Sequence, residues 1–592
     1  MMKHLSVTRE NMRIEYNVPI PMEDGAYVMC NLYFPLEEGV YPVVFTAGAY
    51  GKDLYFPELY PAQWNALRME HPDVFANTTA IHMSWEVVDP EKWCPDGYIC
   101  MRVDSRGFGC TPGYADPFSR RETQDMYNCI EWAAAQPWCN GKVGMNGISY
   151  FAVNQWQVAE LQPPHLAAIC VWEGNCDYYR ELTHHGGIYC SLQDKWQERQ
   201  GNPVQYGLGD YGFKSKVHGM NVSGDETLSE EELRRNRCDI GKDILAHPMY
   251  DDYYRERNCN DFSKIKTPLL SAGNWGGQGL HLRGNIEGFM RAGSEEKYLE
   301  IHGLEHWTKF YCDDGLALQK QFLGYYLKGE ENGWKERRKC QLHIRHIDHF
   351  EERWEDEWPL ARTQYTKLYF QPESAAMKET LPQQSGSYTY RGMADGVTFI
   401  SAPLEQEIEI TGHSLARLTV SSETEDADVF VVLRAFAPDM REVTFSGAND
   451  RYVPLAQGCL RLSHRKLDET LSTPWRPYYS HDELQPLTPG KKYTVDIDLY
   501  PTCIVLPKGY RLALTVRGND HVYSGITREL KAEFETRTPL PVGFTEIGLG
   551  ALIHDDPFDR PAEVFDHNVT LHIDVDNPTY LQIPIIPKRD EK

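Results

Sequence analysis

Two patterns of hydrophobic and polar positions divide the chain. From about Tyr27 to Cys170, short apolar runs of strand length alternate with stretches of helical spacing, which is typical of a mainly parallel sheet built from βαβ units. After Gly333-Trp334 the pattern changes to strands of period two separated by turn residues, with no long helix between them. We therefore predict an α/β domain followed by an all-β domain of the jelly-roll type.

The strands of both parts are predicted from these runs. Those of the first part are Val43–Phe45, Ile99–Val103, Val143–Met145 and Ala167–Val171. Those of the second part are Leu368–Phe370, Leu415–Val420, Val429–Leu433, Tyr493–Leu499, Arg511–Val516 and Val569–Val575. Helical spacing over Thr123–Gln136 ends at Pro137 and leads the chain into the strand that begins at Val143.

Between Glu173 and Asp261 the strand alternation is lost and aromatic residues become frequent. Ser229-x-x-Glu232 is a capping-box signature ahead of a polar helix. We interpret this segment as a helical cap inserted into the α/β domain. The expected boundaries are 1–172 and 263–335 for the two parts of the α/β domain, 173–262 for the cap and 336–592 for the jelly roll.

Composition narrows the classes of function. The 592 residues include 60 basic and 86 acidic ones, so the net charge of −26 repels polyanions and argues against nucleic acid or anionic lipid as a partner. There is no apolar run of about 18 residues and no signal-peptide core, which favours a cytoplasmic protein that acts on small molecules. The fifteen scattered cysteines, without a CxxC pair, indicate reduced thiols.

One turn offers a nucleophile. The strand from Val143 runs into Gly147-Ile148-Ser149-Tyr150 and then into a helix, which is the setting of a nucleophile elbow. Such an elbow makes Ser149 project from a strained turn at the edge of an α/β-hydrolase sheet. The tetrad is a weak signal by itself, because Phe151 stands where the general G-x-S-x-G pattern has glycine.

Segments around this turn carry a family resemblance. They are Asp104 to Gly109, Ile130 to Gly144, Gln155-Trp156 and Leu161 to Leu166, together with Tyr50, Leu327 to Gly333 and Ser421 to Asp428. Through them nearly the whole chain resembles the cocaine esterase / X-Pro dipeptidyl-peptidase (CocE/NonD) family of serine hydrolases. The resemblance implies an enzyme that cleaves a small-molecule ester or amide through an acyl-enzyme.

The resemblance also implies the roles of individual residues. Ser149 would attack the acyl carbon, and the oxyanion would be held by the Tyr50 hydroxyl and the backbone N–H of Tyr150. His306, in a loop after the strand at Tyr298 to Ile301, stands where the family keeps its catalytic histidine. An ordinary pKa of about 6.5 suits a histidine to take the serine proton near neutrality.

The catalytic acid departs from the family pattern. Asn274-Trp275-Gly276-Gly277 has Gly277 where the family has aspartate, so another carboxylate must support the histidine. We propose Glu173, directly after the strand that ends at Trp172, because the ends of parallel strands share one edge of the sheet. Asp177 and Glu305 are weaker candidates. Ala152 is a second departure, since the family commonly has glycine there.

The missing acid keeps two other hypotheses open. One is an acyltransferase or a non-hydrolytic enzyme on the same fold, and the other is an inactive binding protein that retains the fold. His184-His185, His343, His346 and His349 match no recognised ligand spacing, so we predict no metal and no cofactor. The insertion Leu54 to Trp93 and the aromatic cap predict an aromatic pocket. Assembly into a homo-oligomer is left open.

Overall fold

The computed structural model describes residues 3–9, 11–394, 396–448, 452–521 and 552–588. The strands of its N-terminal part are, in chain order, β1 (Leu5–Thr8), β2 (Arg13–Pro21), β3 (Tyr27–Phe34), β4 (Tyr41–Gly48), β5 (Ile99–Asp104), β6 (Cys139–Ile148), β7 (Leu166–Trp172), β8 (His184–His185), β9 (Ile188–Tyr189), β10 (Leu269–Asn274), β11 (Lys297–His302), β12 (Cys340–Arg345) and β13 (Phe350–Glu355).

Eleven of these strands form one sheet in the order β1-β2-β3-β5-β4-β6-β7-β10-β11-β12-β13. All pairings from β5 to β12 are parallel, whereas both edges are antiparallel. Parallel strands are covered by helices on both faces, and every residue of β5 is accordingly buried. The four predicted strands Val43–Phe45, Ile99–Val103, Val143–Met145 and Ala167–Val171 lie in β4 to β7, each extended by a few residues.

Helices cover this sheet. The α-helices of the described residues are Phe56–Leu59, Pro61–Glu70, Pro90–Trp93, Arg120–Ala134, Tyr150–Glu160, Leu192–Trp196, Glu230–Arg235, Ile240–Ala246, Asp252–Arg255, Leu282–Arg291, Thr308–Tyr311, Asp313–Leu323 and Ala562–Phe565. The helix Arg120–Ala134 begins where the Ser119 side chain accepts a hydrogen bond from the backbone N–H of Glu122. It connects β5 to β6, as the sequence pattern predicts.

The segment between β7 and β10 is built from short pieces. No described α-helix there exceeds seven residues, and β8 and β9 form a separate hairpin. The predicted capping box is present, because the Ser229 and Glu232 side chains each bond the other's backbone N–H. Short helices of this kind are stabilised by tertiary packing more than by their own propensity.

The C-terminal part is rich in β-strands. They are β14 (Gln364–Gln371), β15 (Ala376–Lys378), β16 (Gly386–Arg391), β17 (Val397–Ser401), β18 (Ile408–Ser422), β19 (Asp428–Phe436), β20 (Glu442–Val443), β21 (Ala456–Arg461), β22 (Tyr493–Leu506), β23 (Arg511–Arg517), β24 (Asn568–Ile573) and β25 (Tyr580–Ile586). They pair in the order β16-β24-β18-β25-β14-β15-β17-β23-β19-β20, with β22 on β18 and β21 on β19. The six predicted strands fall on β14, β18, β19, β22, β23 and β24, although the predicted Val569–Val575 runs two residues past the end of β24. The jelly-roll arrangement stays a prediction.

The two parts share a buried apolar cluster. Trp275, at the end of β10, packs in it with Leu282 and with Val505 of the C-terminal part. The loop between β10 and the helix Leu282–Arg291 is therefore held from both sides. Among the helices that the structure describes, none combines the length and apolarity that a membrane span requires.

Candidate active site

Ser149 lies in a strained turn between β6 and the helix Tyr150–Glu160. Its φ of 55° and ψ of −115° are unusual for a residue other than glycine, and its backbone N–H is anchored by the carbonyls of Trp172 and Glu173, each at 3.1 Å. Gly147 makes the turn possible, because a Cβ there would stand 2.5 Å from the Cβ of Phe151. This is the geometry of a nucleophile elbow.

Two hydrogen-bond donors flank Ser149. Tyr150 is the first residue of the helix, so its backbone N–H has no carbonyl one turn earlier to bond. The Tyr50 hydroxyl lies beside Ser149 and accepts a hydrogen bond of 3.1 Å from Trp196 Nε1. Burial, reinforced by the charge of Glu86, raises the pKa of Tyr50 well above its ordinary value, so Tyr50 stays protonated and able to donate.

His306 and Glu173 form a buried pair. His306 Nδ1 lies 2.8 Å from Glu173 Oε2, and Glu173 is fully buried. Although burial alone would raise it, His306 and then His302 lower the pKa of Glu173 to about 2. The carboxylate proposed from the sequence therefore stands where a catalytic acid would support His306. The weaker candidates point elsewhere, because Asp177 pairs with Arg180 and Glu305 bonds Thr308.

The other nitrogen of His306 faces a carboxylate. His306 Nε2 lies 2.9 Å from Glu86 Oε1, while Glu86 Oε2 is buried with no hydrogen-bond partner among the described residues. Burial, opposed by His306, raises the pKa of Glu86 to about 7. Burial also disfavours the His306 imidazolium, but Glu173 and Glu86 outweigh it and raise the pKa of His306 to about 10.

His302 continues the chain of buried charges. Its Nε2 lies 3.0 Å from Glu173 Oε1, and its Nδ1 lies 2.7 Å from Glu300 Oε2. Glu300 and Glu173 overcome the effect of burial and raise the pKa of His302 to about 9. Carboxylates and imidazoles thus alternate from Glu300 to Glu86. In this chain His302 bonds the Glu173 oxygen that does not contact His306.

Ser149 itself contacts a different histidine. Its Oγ lies 3.0 Å from Nε2 of His281, whose ring stacks on His306 with centroids 5.3 Å apart. The backbone N–H of Asn175 points at His281 Nδ1 at 3.2 Å, and an N–H can only donate. Neutral His281 therefore carries its proton on Nε2 and donates it to Ser149. Burial and the nearby His306 lower the pKa of His281 well below 6.5, so it stays neutral.

One cavity is lined by Ser149 and the groups around it, among them Glu86, His281 and His306. Apolar and aromatic side chains dominate its wall, among them Trp85, Phe118, Leu192 and Trp196. Asn175 also lines it, and both polar atoms of the Asn175 side chain are buried with no hydrogen-bond partner in the part of the chain that the structure describes. The cavity therefore combines an apolar surface with a few unsatisfied polar groups, as ligand sites do.

The structure brings together the residues named from the sequence, but not all in the expected contacts. Tyr50, Ser149, Tyr150 and His306 line the cavity, and Glu173 supports His306 from behind. The hydrogen bond to Ser149 comes from His281, although His306 was expected to make it. Three residues of the site were not predicted from the sequence: His281, Glu86 and Asn175. Of these three, only Glu86 lies in a segment that the sequence pattern associates with the pocket, the insertion Leu54 to Trp93.

Fold and site together define a class. A serine in a nucleophile elbow, at the edge of a parallel sheet and beside a histidine–carboxylate pair, is the arrangement of α/β-hydrolase enzymes. Comparison with protein families is more specific. Residues 24–308 match the X-Pro dipeptidyl-peptidase (S15 family) model, and residues 328–533 match the X-Pro dipeptidyl-peptidase C-terminal non-catalytic domain.

Individual relatives agree. A putative Xaa-Pro dipeptidyl-peptidase of Streptomyces avermitilis is 32% identical over 484 residues, which cover 72% of this chain and 68% of the relative. The cocaine esterase of Rhodococcus sp. is 24% identical over 576 residues, 86% of this chain and 91% of that protein. A CocE/NonD family hydrolase from Staphylococcus aureus superposes with a TM-score of 0.81 at 30% identity, over 99% of this chain and 96% of that one.

The chain therefore belongs to the X-Pro dipeptidyl-peptidase (S15) family of CocE/NonD hydrolases, as the sequence resemblance implied. It has the fold of that family, with an N-terminal α/β domain and a C-terminal β-rich domain. Its relatives are named as esterases and dipeptidyl-peptidases, and the protein is a hydrolytic enzyme.

Proposed function

We propose that the protein cleaves a small-molecule ester or amide through an acyl-enzyme on Ser149, with His306 as general base and Glu173 as its supporting acid. The observation that carries this proposal is the His306–Glu173 pair beside the elbow. In this proposal Glu173 provides the carboxylate that is missing at position 277. The missing carboxylate was the main reason for the rival hypotheses of acyl transfer and of an inactive binding protein.

The reaction proceeds in two steps. In the first, the Ser149 O–H bond breaks, its proton passes to His306 Nε2, and Oγ bonds the acyl carbon. The oxyanion is held by the Tyr50 hydroxyl and the Tyr150 N–H, and the leaving group departs with the proton from His306. In the second step, water repeats the sequence on the acyl-enzyme, which releases the free acid and restores Ser149.

Glu86 and His281 set the resting state. In the resting state Nε2 of His306 carries a proton and donates it to Glu86, so Glu86 must take this proton and move away before Nε2 can receive the proton of Ser149. His281 donates to one lone pair of Ser149 Oγ, which leaves the serine hydroxyl free to donate its own hydrogen to His306. We assign His281 to the positioning of Ser149, because its proton-bearing nitrogen faces the serine and cannot accept a proton.

The wall of the cavity favours an apolar acyl group. The segment 173–262, which we propose acts as the cap, contributes Leu182, Leu192 and Trp196. Trp85, from the insertion after β4, stacks on Tyr60 with centroids 4.0 Å apart. The unpaired amide of Asn175 offers one donor side and one acceptor side to a polar group of the substrate. An aromatic or branched ester or amide fits these features.

The proposal is tested with aryl esters and a fluorophosphonate label. We expect the label on Ser149, and we expect Ser149→Ala to abolish turnover. Glu173→Gln keeps the shape of the acid but not its charge, and should lower kcat by about 10³- to 10⁴-fold. Wild-type turnover by Ser149→Ala would rule the proposal out. A product that is an adduct of an added alcohol, with no free acid, would favour acyl transfer.

The two histidines are separated by a matched pair of variants. His281→Gln retains an N–H donor and should keep kcat within about tenfold, whereas His306→Gln removes the base and should cost about 10³-fold or more. Circular dichroism checks that both variants fold. The opposite ranking of the two variants would make His281 the general base and would refute the assignment of His306.

A further inference from the structure

Two buried histidines from distant parts of the chain meet outside the active site. His185 belongs to the β8–β9 hairpin of segment 173–262, and His554 belongs to the C-terminal part. Their exposed fractions are 1% and 2%, and His185 Nδ1 lies 3.0 Å from His554 Nε2. A contact between two ring nitrogens needs a proton or a cation between them, so the protonation of each ring decides what holds the pair together.

The environment of His185 places its own proton on Nε2. That nitrogen lies 2.8 Å from the carbonyl oxygen of Gly279 and 3.1 Å from that of Glu181. Carbonyl oxygens can only accept, so Nε2 must carry hydrogen and donate. In the neutral ring Nδ1 is then bare, and its lone pair points at His554.

The environment of His554 places the proton of this ring on Nδ1. Its Nδ1 lies 2.7 Å from Asp520 Oδ1, and the carboxylate accepts a hydrogen bond from this nitrogen. Nε2 of the neutral ring is therefore bare as well, and two lone pairs face each other at 3.0 Å. A carboxylate behind an imidazole is also the usual arrangement behind a metal-binding histidine, where it fixes the tautomer and raises the basicity of the ligand.

A thiol completes the group. Cys190 is fully buried, and its Sγ and one ring nitrogen of each histidine all lie within 4.8 Å of one another. Two imidazoles and one thiolate form a ligand set that suits Zn²⁺. With Zn–N bonds of about 2.0–2.1 Å, tetrahedral geometry separates two nitrogens by about 3.3 Å, so the pair needs to open by only a few tenths of an ångström.

We propose that His185, His554 and Cys190 bind one Zn²⁺ ion, with Asp520 as the carboxylate that orients His554. On binding, the Cys190 S–H bond breaks and its proton passes to solvent, so the thiolate becomes the third ligand. The ion would replace the shared proton that the two facing nitrogens otherwise require. This site differs from the expectation, drawn from sequence spacing, that the histidines bind no metal.

The position of the site gives it a structural role. It would tie the β8–β9 hairpin to the C-terminal part of the chain. Through the bond from His185 to Gly279 it would also fix the loop that presents His281, two residues farther along, to Ser149. Zinc at this site should therefore stabilise the joint between the two parts without taking part in the chemistry.

The test uses the untagged full-length protein. Elemental analysis after purification should find about one zinc per chain, and chelator-treated protein should bind one Co²⁺ with a near-ultraviolet thiolate-to-cobalt charge-transfer band. Binding of Co²⁺ should release protons, which a weakly buffered titration measures. A chelator-treated wild type that folds but binds no Co²⁺ would overturn the proposal, and a shared proton would then be what holds the pair.

Variants locate the ion. Cys190→Ala should remove the charge-transfer band, and His554→Ala should reduce zinc to near zero. The matched control is Cys312→Ala, because Cys312 belongs to a second group of potential ligands with His71 and Asp73. Loss of the band in Cys312→Ala, together with its retention in Cys190→Ala, would place the ion at the cluster of Cys312 and refute the assignment. The Co²⁺ titration of the wild type does not depend on the folding of any variant.

Discussion

At the scale of single residues, the site depends on polar groups that burial has deprived of water. Glu86, Glu173 and His306 are all nearly inaccessible, so each charge is stabilised by its neighbour and not by solvent. Removing one member therefore changes the protonation of the others. Two predictions follow from this coupling and from the oxyanion donors.

The first prediction concerns Tyr50. Tyr50→Phe keeps the ring that packs on Phe151 and removes the hydroxyl, so we expect kcat on aryl esters to fall by about 10²- to 10³-fold with KM little changed. Tyr60→Phe is the matched control, because the Tyr60 hydroxyl bonds Gln200 and not the nucleophile. Equal rates for wild type and Tyr50→Phe would show that the oxyanion is held by other groups.

The second prediction is a pH profile. Glu173 and Glu86 raise the pKa of His306 to about 10 against the effect of burial, and only the neutral ring accepts a proton. Glu86→Gln removes one of these charges, so the pKa of His306 should fall and the acidic limb of kcat/KM should move to lower pH. Glu305→Gln, a neighbour whose carboxylate bonds Thr308, should leave the limb in place. If the acidic limb of kcat/KM stays in place in Glu86→Gln, Glu86 does not influence the pKa of His306.

A corollary of the second prediction is that the free energy of unfolding changes with pH. The folded-state pKa of His306 is above its ordinary value of about 6.5, so its contribution is fully present below that pH and is lost as pH rises through about 10. Because the groups involved are buried, salt should screen this effect much less than it screens exposed charges.

At the scale of elements, the elbow depends on how closely the helix Tyr150–Glu160 approaches the end of β7. Ala152 stands on this helix where the family commonly has glycine, and the opposing residue is Gly174. A Cβ at Gly174 would lie 2.6 Å from the Cβ of Ala152, which is far inside van der Waals contact. Because Gly174 has no side chain, the methyl group of Ala152 is accommodated between the helix and the strand end.

This contact gives the third prediction. Gly174→Ala should force the helix and strand apart and lower the free energy of unfolding by about 1–3 kcal/mol, measured in urea. Gly201→Ala is the control, because a Cβ there makes only ordinary contacts, at 3.6 and 3.7 Å, and its φ is negative. Equal stability of Gly174→Ala and wild type would mean that this packing is looser than the distances indicate.

At the scale of the whole molecule, a buried ion pair joins the two parts. Arg476 of the C-terminal part pairs with Glu287 on the helix Leu282–Arg291, and the side chains are 8% and 1% exposed. This helix follows the loop that carries His281. Because Glu287 is buried, its charge depends on Arg476 for compensation.

The fourth prediction removes that compensation. Arg476→Met should leave Glu287 as an unpaired buried charge and destabilise the protein by about 3–5 kcal/mol, seen as a lower midpoint of unfolding. The control is Arg391→Met, which breaks the exposed pair with Asp566 and should change stability by about 1 kcal/mol or less. A similar effect of the two variants would show that the Glu287 pair is not needed to join the parts.

Much of this protein could be predicted from local pattern. Apolar runs of strand length indicated β4 to β7, and period-two alternation indicated the strands of the C-terminal part, because side-chain periodicity is a local property of the backbone. The elbow at Ser149 and the loop histidine His306 were visible as motifs. Even the choice of Glu173 followed from a rule of topology, since parallel strands end at one edge of the sheet.

The contacts that set the chemistry were decided by tertiary structure. His281 lies 132 residues after Ser149 (281 − 149), and Glu86 lies 63 residues before it (149 − 86). No local sequence pattern relates either residue to Ser149. His185 and His554 meet across 369 residues. The sequence by itself determined the elements and the turn that carries Ser149, because those depend on neighbours along the chain. Only the fold decided which histidine touches Ser149 and which carboxylate faces each imidazole, because burial and distance between remote residues arise when the elements pack.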